Sequence, residues 1–284
     1  MIDGQRVVAW TPYGRERTYS ILHQYLRREV DRGVVDEIWL CLNVDDDQVD
    51  DLRYAYRLAR GHRQTRIVER PRGLPRRHPK QRNTGQFYVH MTDPDTTYLR
   101  LDDDIVYVHE DAIGNLARHS QASAGVLCSM ATMWNNAVVT HFMQAAGIVP
   151  REWGEVRRYC MDPNGWANGA FAVKMHRLLL DTVGAGQPER LYLYQDMVLP
   201  REQYSVSAFA AQGAVYAKLD QPGELRPDEE ESWHTVFGPT QLNLHNVLVG
   251  DALVAHYTFA PQQIAVNASD VLDRYRALAA TLTS

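Results

Sequence analysis

Tyr98-Leu99-Arg100-Leu101-Asp102-Asp103-Asp104-Ile105-Val106 is the stretch on which the reading of this chain turns. A mostly apolar run ends in three carboxylates, and a second apolar run follows. The first run suits a buried strand. Three carboxylates do not share a dry interior without counter-charge, because each isolated buried ion costs several kcal/mol even after relaxation. The triplet is therefore expected where a strand leaves its sheet, at a cleft. Oxygen donors there suit Mg²⁺ or Mn²⁺, ions that often bridge to phosphates. Taken alone, the triplet reads equally well as a solvated acidic turn. What precedes and follows it decides between the two.

Upstream, Arg6-Val7-Val8-Ala9-Trp10 reads as a buried first strand, and Thr11-Pro12-Tyr13-Gly14-Arg15-Glu16 as a loop. A helix is expected from about Thr18 to Asp31, with Leu22, Leu26 and Val30 on one face and Gly33 at its end. Glu37 to Leu42 is a second strand, ending in the polar loop Asn43-Val44-Asp45-Asp46-Asp47. A helix from Val49 to Arg60, a short strand Thr65 to Val68, a loop through Pro79 and a helix from about Lys80 to Met91 lead to the acidic strand. Such alternation implies right-handed βαβ units and a parallel sheet with helices on both faces. In such sheets ligands bind beyond the carboxyl ends of the strands. Three strands here end in polar loops at that position, which favours the cleft over the solvated turn.

The second half is less regular. Glu110 to His119 reads as helix, Ala124 to Met130 as a core strand, Asn168 to Val173 as a strand and Met175 to Thr182 as a helix. Pro222 to Ser232 is acidic and reads as an exposed loop. Leu248 to Tyr257 is strand-like, and a final helix carries Val271, Leu272, Tyr275, Leu278 and Leu282 on its buried side.

The chain has 284 residues, 45% of them apolar, enough for a real core in one large domain or two small ones. No run of about 18 apolar residues occurs, so no transmembrane segment is expected. The N-terminus has no signal-peptide core, and three scattered cysteines (Cys41, Cys128, Cys160) fit reduced thiols, so a cytoplasmic location is expected. A net charge of −5 excludes polyanion binding by bulk charge. The charge is uneven, however: Arg63, Arg66, Arg70, Arg72, Arg76, Arg77 and Lys80 lie between Arg60 and Arg82, against Glu69 alone.

In the order and spacing of these features the chain resembles the GT-A-fold glycosyltransferases, in the broad family-2-like group that uses nucleotide-sugar donors. The features are the loop Thr11 to Glu16, the acidic loop after the second strand, Lys80-Gln81-Arg82-Asn83, Leu101 to Asp104, Gly165 to Phe171, Gln195-Asp196 and Val254-Ala255-His256-Tyr257. The resemblance implies an α/β, Rossmann-like single domain, 1–284, with a central, mostly parallel sheet flanked by helices. It implies a donor-binding half at 1–106, an acceptor-binding half at 107–262 and a C-terminal helix at 263–284.

Asp102-Asp103-Asp104 corresponds to the group's DxD motif. The resemblance implies that Asp104, with His256 as a late ligand, holds Mn²⁺ or Mg²⁺ against the donor diphosphate. It implies that Thr11, Tyr13, Arg15, Asn43, Asp45, Arg82, Asp102 and Asp103 bind the donor. Asp196 corresponds to the carboxylate that takes the acceptor proton in inverting transfer; its neighbour Gln195 departs from the usual acid. Trp134, Trp166 and Trp233 are candidates for stacking on the acceptor, with core packing as the alternative. The acceptor classes left open are a glycan, a metabolite and DNA, the last because of the basic stretch. A non-catalytic nucleotide-sugar or carbohydrate-binding protein of the same fold and a Mg²⁺-dependent nucleotidyltransferase are the competing readings. The latter usually shows a glycine-rich phosphate loop, and the first loop here holds only Gly14.

Overall fold

In the computed structural model, which describes residues 1–74, 80–220 and 230–283, nine strands form one sheet. They are β1 (Arg6–Tyr13), β2 (Glu37–Leu42), β3 (Thr65–Val68), β4 (Thr96–Leu101), β5 (Ile105–Val108), β6 (Val126–Trp134), β7 (Met197–Leu199), β8 (Ala208–Gln212) and β9 (His245–His256). Their order is β3-β2-β1-β4-β8-β6-β9-β5, and β7 also pairs with β9. The flanking α-helices include α1 (Glu16–Asp31), α2 (Val49–Gly61), α3 (Ala112–Ala122), α4 (Ala137–Ala145) and α5 (Gly169–Gly184). A 3₁₀ helix at Lys80–His90 precedes β4, and a C-terminal helix at Val271–Ala280 packs on α1, α5 and β5. The expected architecture, a sheet between helices with a closing helix, is present. Among the described residues no helix is long and apolar enough to cross a membrane.

The register explains where a site forms. β1, β2, β3 and β4 run parallel, so their carboxyl ends lie at one edge. β8 is antiparallel to β4, with Leu101 opposite Ala208, which brings the start of β8 to that same edge. β6 is antiparallel to β8 and parallel to β9, with Trp134 opposite Ala255, so β9 also ends there. β5 pairs antiparallel to β9, with Ile105 opposite His256. The acidic triplet and His256 are thus brought together by strand pairing, not by a loop's chance path. The parallel part of the sheet is its N-terminal half; the second half is mixed.

Two local expectations are corrected, the first at Thr11 to Tyr13, which continue β1 and are not loop. Asn168 to Val173 is not a strand but the start of α5. The Asn168 Oδ1 accepts from Phe171 N at 3.1 Å and caps the helix. Phe171, Ala172, Met175, His176, Leu179 and Leu180 are buried along it, a helical stripe that a six-residue window does not reveal.

Three buried histidines tie the fold to pH. The two nitrogens of His176 meet Tyr275 Oη at 2.9 Å and the Tyr257 carbonyl at 2.7 Å. Those of His234 meet Tyr216 Oη at 3.1 Å and the Glu230 carbonyl at 2.8 Å. Burial pushes His176 down to about 4 and His234 to about 3. His23 is also pushed down to about 3, by burial and then by nearby His62 and Arg27. All three stay neutral when folded, whereas unfolded histidines take up protons near pH 6.5. The unfolded chain therefore binds more protons between about pH 6.5 and 4, and stability falls as pH drops through that window. The slope is at most about 1.4 kcal/mol per pH unit for each histidine. Glu231, Asp103 and His256, whose pKa values are raised in the folded chain, work in the opposite sense. Urea unfolding is therefore expected to show a smaller net loss of stability from pH 7.5 to pH 5, and replacing His176 with a neutral residue should reduce that loss. A pH dependence unchanged by the substitution would refute this.

Candidate active site

The cleft at the shared edge of the sheet has a volume of about 550 Å³. Its first wall is the turn after β1 and the triplet after β4. Gly14 N donates to Asp103 Oδ2 at 2.8 Å, and Arg15 Nε donates to Asp103 Oδ1 at 3.0 Å. Arg15 Nη2 also donates to Asp103 Oδ1 and lies 3.0 Å from Asp104 Oδ2. His256 Nε2 stands 3.4 Å from that same Asp104 oxygen. Burial works against the Asp104 charge, but His256 and Arg15 outweigh it and hold its carboxyl below the usual range. Burial likewise works against the His256 charge, and Asp104 reverses this and raises its pKa. Asp103 is pushed up by burial, with Arg15 opposing and Asp104 adding to the shift.

Beneath the triplet lies a second charge cluster. Arg100 is buried one residue before the end of β4, with the rings of Trp10 at 5.6 Å and Phe209 at 5.9 Å. Its Nε donates to Asp102 Oδ1 at 2.9 Å and its Nη1 to Glu230 Oε1. Tyr88 Oη donates to the same Glu230 oxygen at 2.7 Å. Ser205, Ser207 and Glu231 also line the cleft. The Ser207 carbonyl accepts from Asp102 N at 2.9 Å, and Gln203 Nε2 donates to Glu231 Oε1 at 3.0 Å.

The Asp104–His256 pair fits a divalent ion. Two donors each about 2.1 Å from one ion stand roughly 3 Å apart at a right angle, and these stand 3.4 Å apart. His256 Nδ1, the ring nitrogen other than the one facing Asp104, is buried with no hydrogen-bond partner among the described residues. Arg15 shares the Asp104 oxygen that faces His256, and 44% of its side chain is exposed.

Of the sequence candidates, Arg15, Asn43, Asp102, Asp103, Asp104 and His256 line this cleft. Thr11 and Tyr13 do not. Strand alternation turns them to the other face of β1, where Thr11 is fully buried and Tyr13 Oη donates to the Asp51 carbonyl at 2.7 Å. Asp45 lies in the loop after β2, where its N–H donates to Gln48 Oε1 at 2.9 Å, and it is not in the lining. The Arg82 side chain and residues 75–79 of the basic stretch lie outside the described residues. Asp196 is not brought to the cleft: its Oδ1 accepts from Gly250 N at 2.8 Å, mid-way along β9, and its Oδ2 faces His119 Nε2 at 3.9 Å.

The tryptophans are also elsewhere. Trp134 is fully buried, with Nε1 donating to the Met175 carbonyl at 2.7 Å. Trp233 is buried against Tyr216 and His234, and Trp166 packs half-buried on the core. Core packing, the alternative for these rings, is what holds. Arg100, Glu230 and Glu231 were not anticipated. A lone arginine within an otherwise apolar strand was the available signal, since a buried guanidinium demands carboxylates nearby. Of the stretch Pro222 to Ser232 expected as an exposed loop, 222–229 lie outside the described residues, and Glu230 is buried.

No family model matches the chain. No curated protein matches it either. Among solved structures, it is similar to glucosyl-3-phosphoglycerate synthase from Mycobacterium tuberculosis in complex with phosphoglyceric acid. That match has 14% identity and a TM-score of 0.46, over 98% of this chain and 80% of that one. It is similar to GalNAc-T7 with UDP, GalNAc and Mn²⁺, at 12% identity and a TM-score of 0.49, over 96% of this chain and 47% of that one. It is also similar to CMP:2-keto-3-deoxy-manno-octonic acid synthetase complexed with CTP, at 12% identity and a TM-score of 0.46, over 97% and 99% of the two chains. At such identities residue roles do not transfer, and the chemistry of the cleft follows from its own side chains.

Proposed function

We propose that this chain is a metal-dependent glycosyltransferase that moves a sugar from a nucleotide-diphosphate donor to an acceptor hydroxyl, with inversion. The observation that carries the reading is the meeting of Asp104 and His256 beneath a polar cleft bordered by Asp102, Asp103 and Arg15. Asp104 and His256 would hold Mn²⁺ or Mg²⁺, with donor phosphate and water completing the shell. When bound, such an ion stabilises the charge that gathers on a departing diphosphate. Arg15, released from Asp104, offers a guanidinium fork to the same phosphates. Asn43 and Asp102 offer hydrogen-bonding groups to base, ribose or sugar.

A glycan, a metabolite and DNA are all acceptors this reading admits. A second cavity of about 420 Å³ beside β3, with Arg66, Arg70, Arg72 and His90 around Trp39, favours an acceptor that carries phosphate. Steep weakening of binding with salt is the mark of DNA among these.

The test is thermal unfolding with UDP, GDP, dTDP and CDP and their sugars, each with and without Mn²⁺. A ligand at about 100 times its dissociation constant adds roughly 2.7 kcal/mol. One diphosphate nucleotide is expected to stabilise the protein only when metal is present. Stabilisation by a nucleotide-sugar with no transfer to any acceptor would favour the binding-protein reading. No stabilisation across the panel would overturn the proposal.

A further inference from the structure

Five carboxylates line the cleft among the described residues: Asp102, Asp103, Asp104, Glu230 and Glu231. Four of them are committed. Asp102 and Glu230 both pair with Arg100, Asp103 pairs with Arg15, and Asp104 lies between Arg15 and His256. A carboxylate held by a cation is a poor proton acceptor, because its charge is already stabilised. Glu231 is different. Its carboxylate receives one neutral hydrogen bond, from Gln203, and has no cation within ion-pair distance among the described residues. It lines the same cleft as the triplet, together with Ser205 and Ser207. A base for an attacking hydroxyl has to line the cleft that would hold the donor, and Glu231 does.

We infer that Glu231, and not Asp196, accepts the proton of the acceptor hydroxyl; this rests on the transferase reading above. In the step, the acceptor oxygen forms a bond to the anomeric carbon. The bond from that carbon to the donor phosphate breaks, and its electron pair leaves with the nucleoside diphosphate. The hydroxyl proton passes to the Glu231 carboxylate and then to water. The position of Glu231 suits it for this near neutral pH. Burial pushes its carboxyl up to about 7, Gln203 lowers it, Glu230 raises it, Arg100 lowers it and Asp102 raises it. The Cys160 thiol is the remaining titratable neighbour. Efficient general bases have pKa values near the working pH.

The test compares wild type with Glu231→Gln and Glu231→Asp, using UDP-glucose, GDP-mannose and dTDP-glucose with Mn²⁺. Two quantities are read: the affinity for the matching diphosphate, and the release of that diphosphate from the sugar donor with and without added glycan, metabolite or DNA acceptors. Glu231→Gln is expected to bind the diphosphate within about twofold of wild type and to lose roughly 10²–10⁴-fold in kcat. Glu231→Asp is expected to recover part of the loss. The wild-type rate is expected to rise with pH to a plateau above about pH 7, and that limb should vanish in the Gln variant. A Gln variant with wild-type kcat overturns the assignment. So does one that loses diphosphate affinity in step with rate, since that places Glu231 in donor binding. If neither variant folds, a wild-type rate that is flat from pH 5.5 to 9 overturns it. If wild type binds no diphosphate and releases none, the transferase reading itself fails, and the assignment with it.

Discussion

Replacing Arg100 with leucine is expected to cost about 3–5 kcal/mol of stability, the usual penalty for removing one partner from a buried ion pair. Arg100 is enclosed by Trp10 and Phe209 and neutralises both Asp102 and Glu230. Leucine would fill much of the volume but leave two carboxylates at the cleft floor without their cation. Thermal unfolding should register a fall of roughly 10 °C for a chain of this size. The double variant Arg100→Leu with Glu230→Gln should regain part of the loss, because a neutral amide still accepts from Tyr88 and needs no counter-charge. A single variant within about 1 kcal/mol of wild type would show that the cluster is hydrated in solution. Donor affinity should fall as well, because Arg100 fixes Asp102 at 2.9 Å and so sets its direction into the cleft.

Asp104→Ala is the second large effect, and it separates ligand binding from folding. Without the carboxylate, His256 alone is a poor site for a hard divalent ion. The metal-dependent gain from a diphosphate nucleotide, about 2.7 kcal/mol at 100 times its dissociation constant, is expected to disappear. The ligand-free protein should change by no more than about 1 kcal/mol, because removing Asp104 also relieves its repulsion of Asp103 and leaves Arg15 bonded to Asp103. Paired unfolding curves with and without nucleotide and Mn²⁺ check both halves. Asp196→Asn is the contrast, and its nucleotide response should match wild type. Undiminished stabilisation in Asp104→Ala would place the ion elsewhere.

The fold was legible wherever sequence period and strand ends agreed. Strands and helices alternate cleanly up to Asp104, so the cleft edge and the polar ends of β1, β2 and β4 could be read in advance. Legibility failed where a single residue's face decides its role. Thr11 and Tyr13 belong to the end of β1 and not to the loop after it, so they alternate away from the cleft that Arg15 and Asn43 line. It failed again for aromatic residues, since a tryptophan rich in neighbours and one stacked on a sugar have the same local sequence. Glu231 was hidden by composition. An acidic run next to proline and glycine looks solvated, and only the packing of Trp233 and the Arg100–Glu230 pair shows that its end turns inward. Asp196 was placed by motif order alone, and the pairing of β7 with β9 puts its carboxylate on the Gly250 amide instead.

β5 begins one residue after Asp104, yet its strand partner is β9, near the other end of the chain. The early segment can therefore emerge, and β1 to β4 can pair locally, while Asp104 still lacks the neighbour that positions it. Closing so long a loop before any contact repays its entropy makes this pairing a slow, late event. A truncated or half-made chain has the acidic turn but not the histidine opposite it. On the transferase reading proposed above, the metal and donor site would be complete only once this last strand has paired, so a partly folded chain would hold neither ligand.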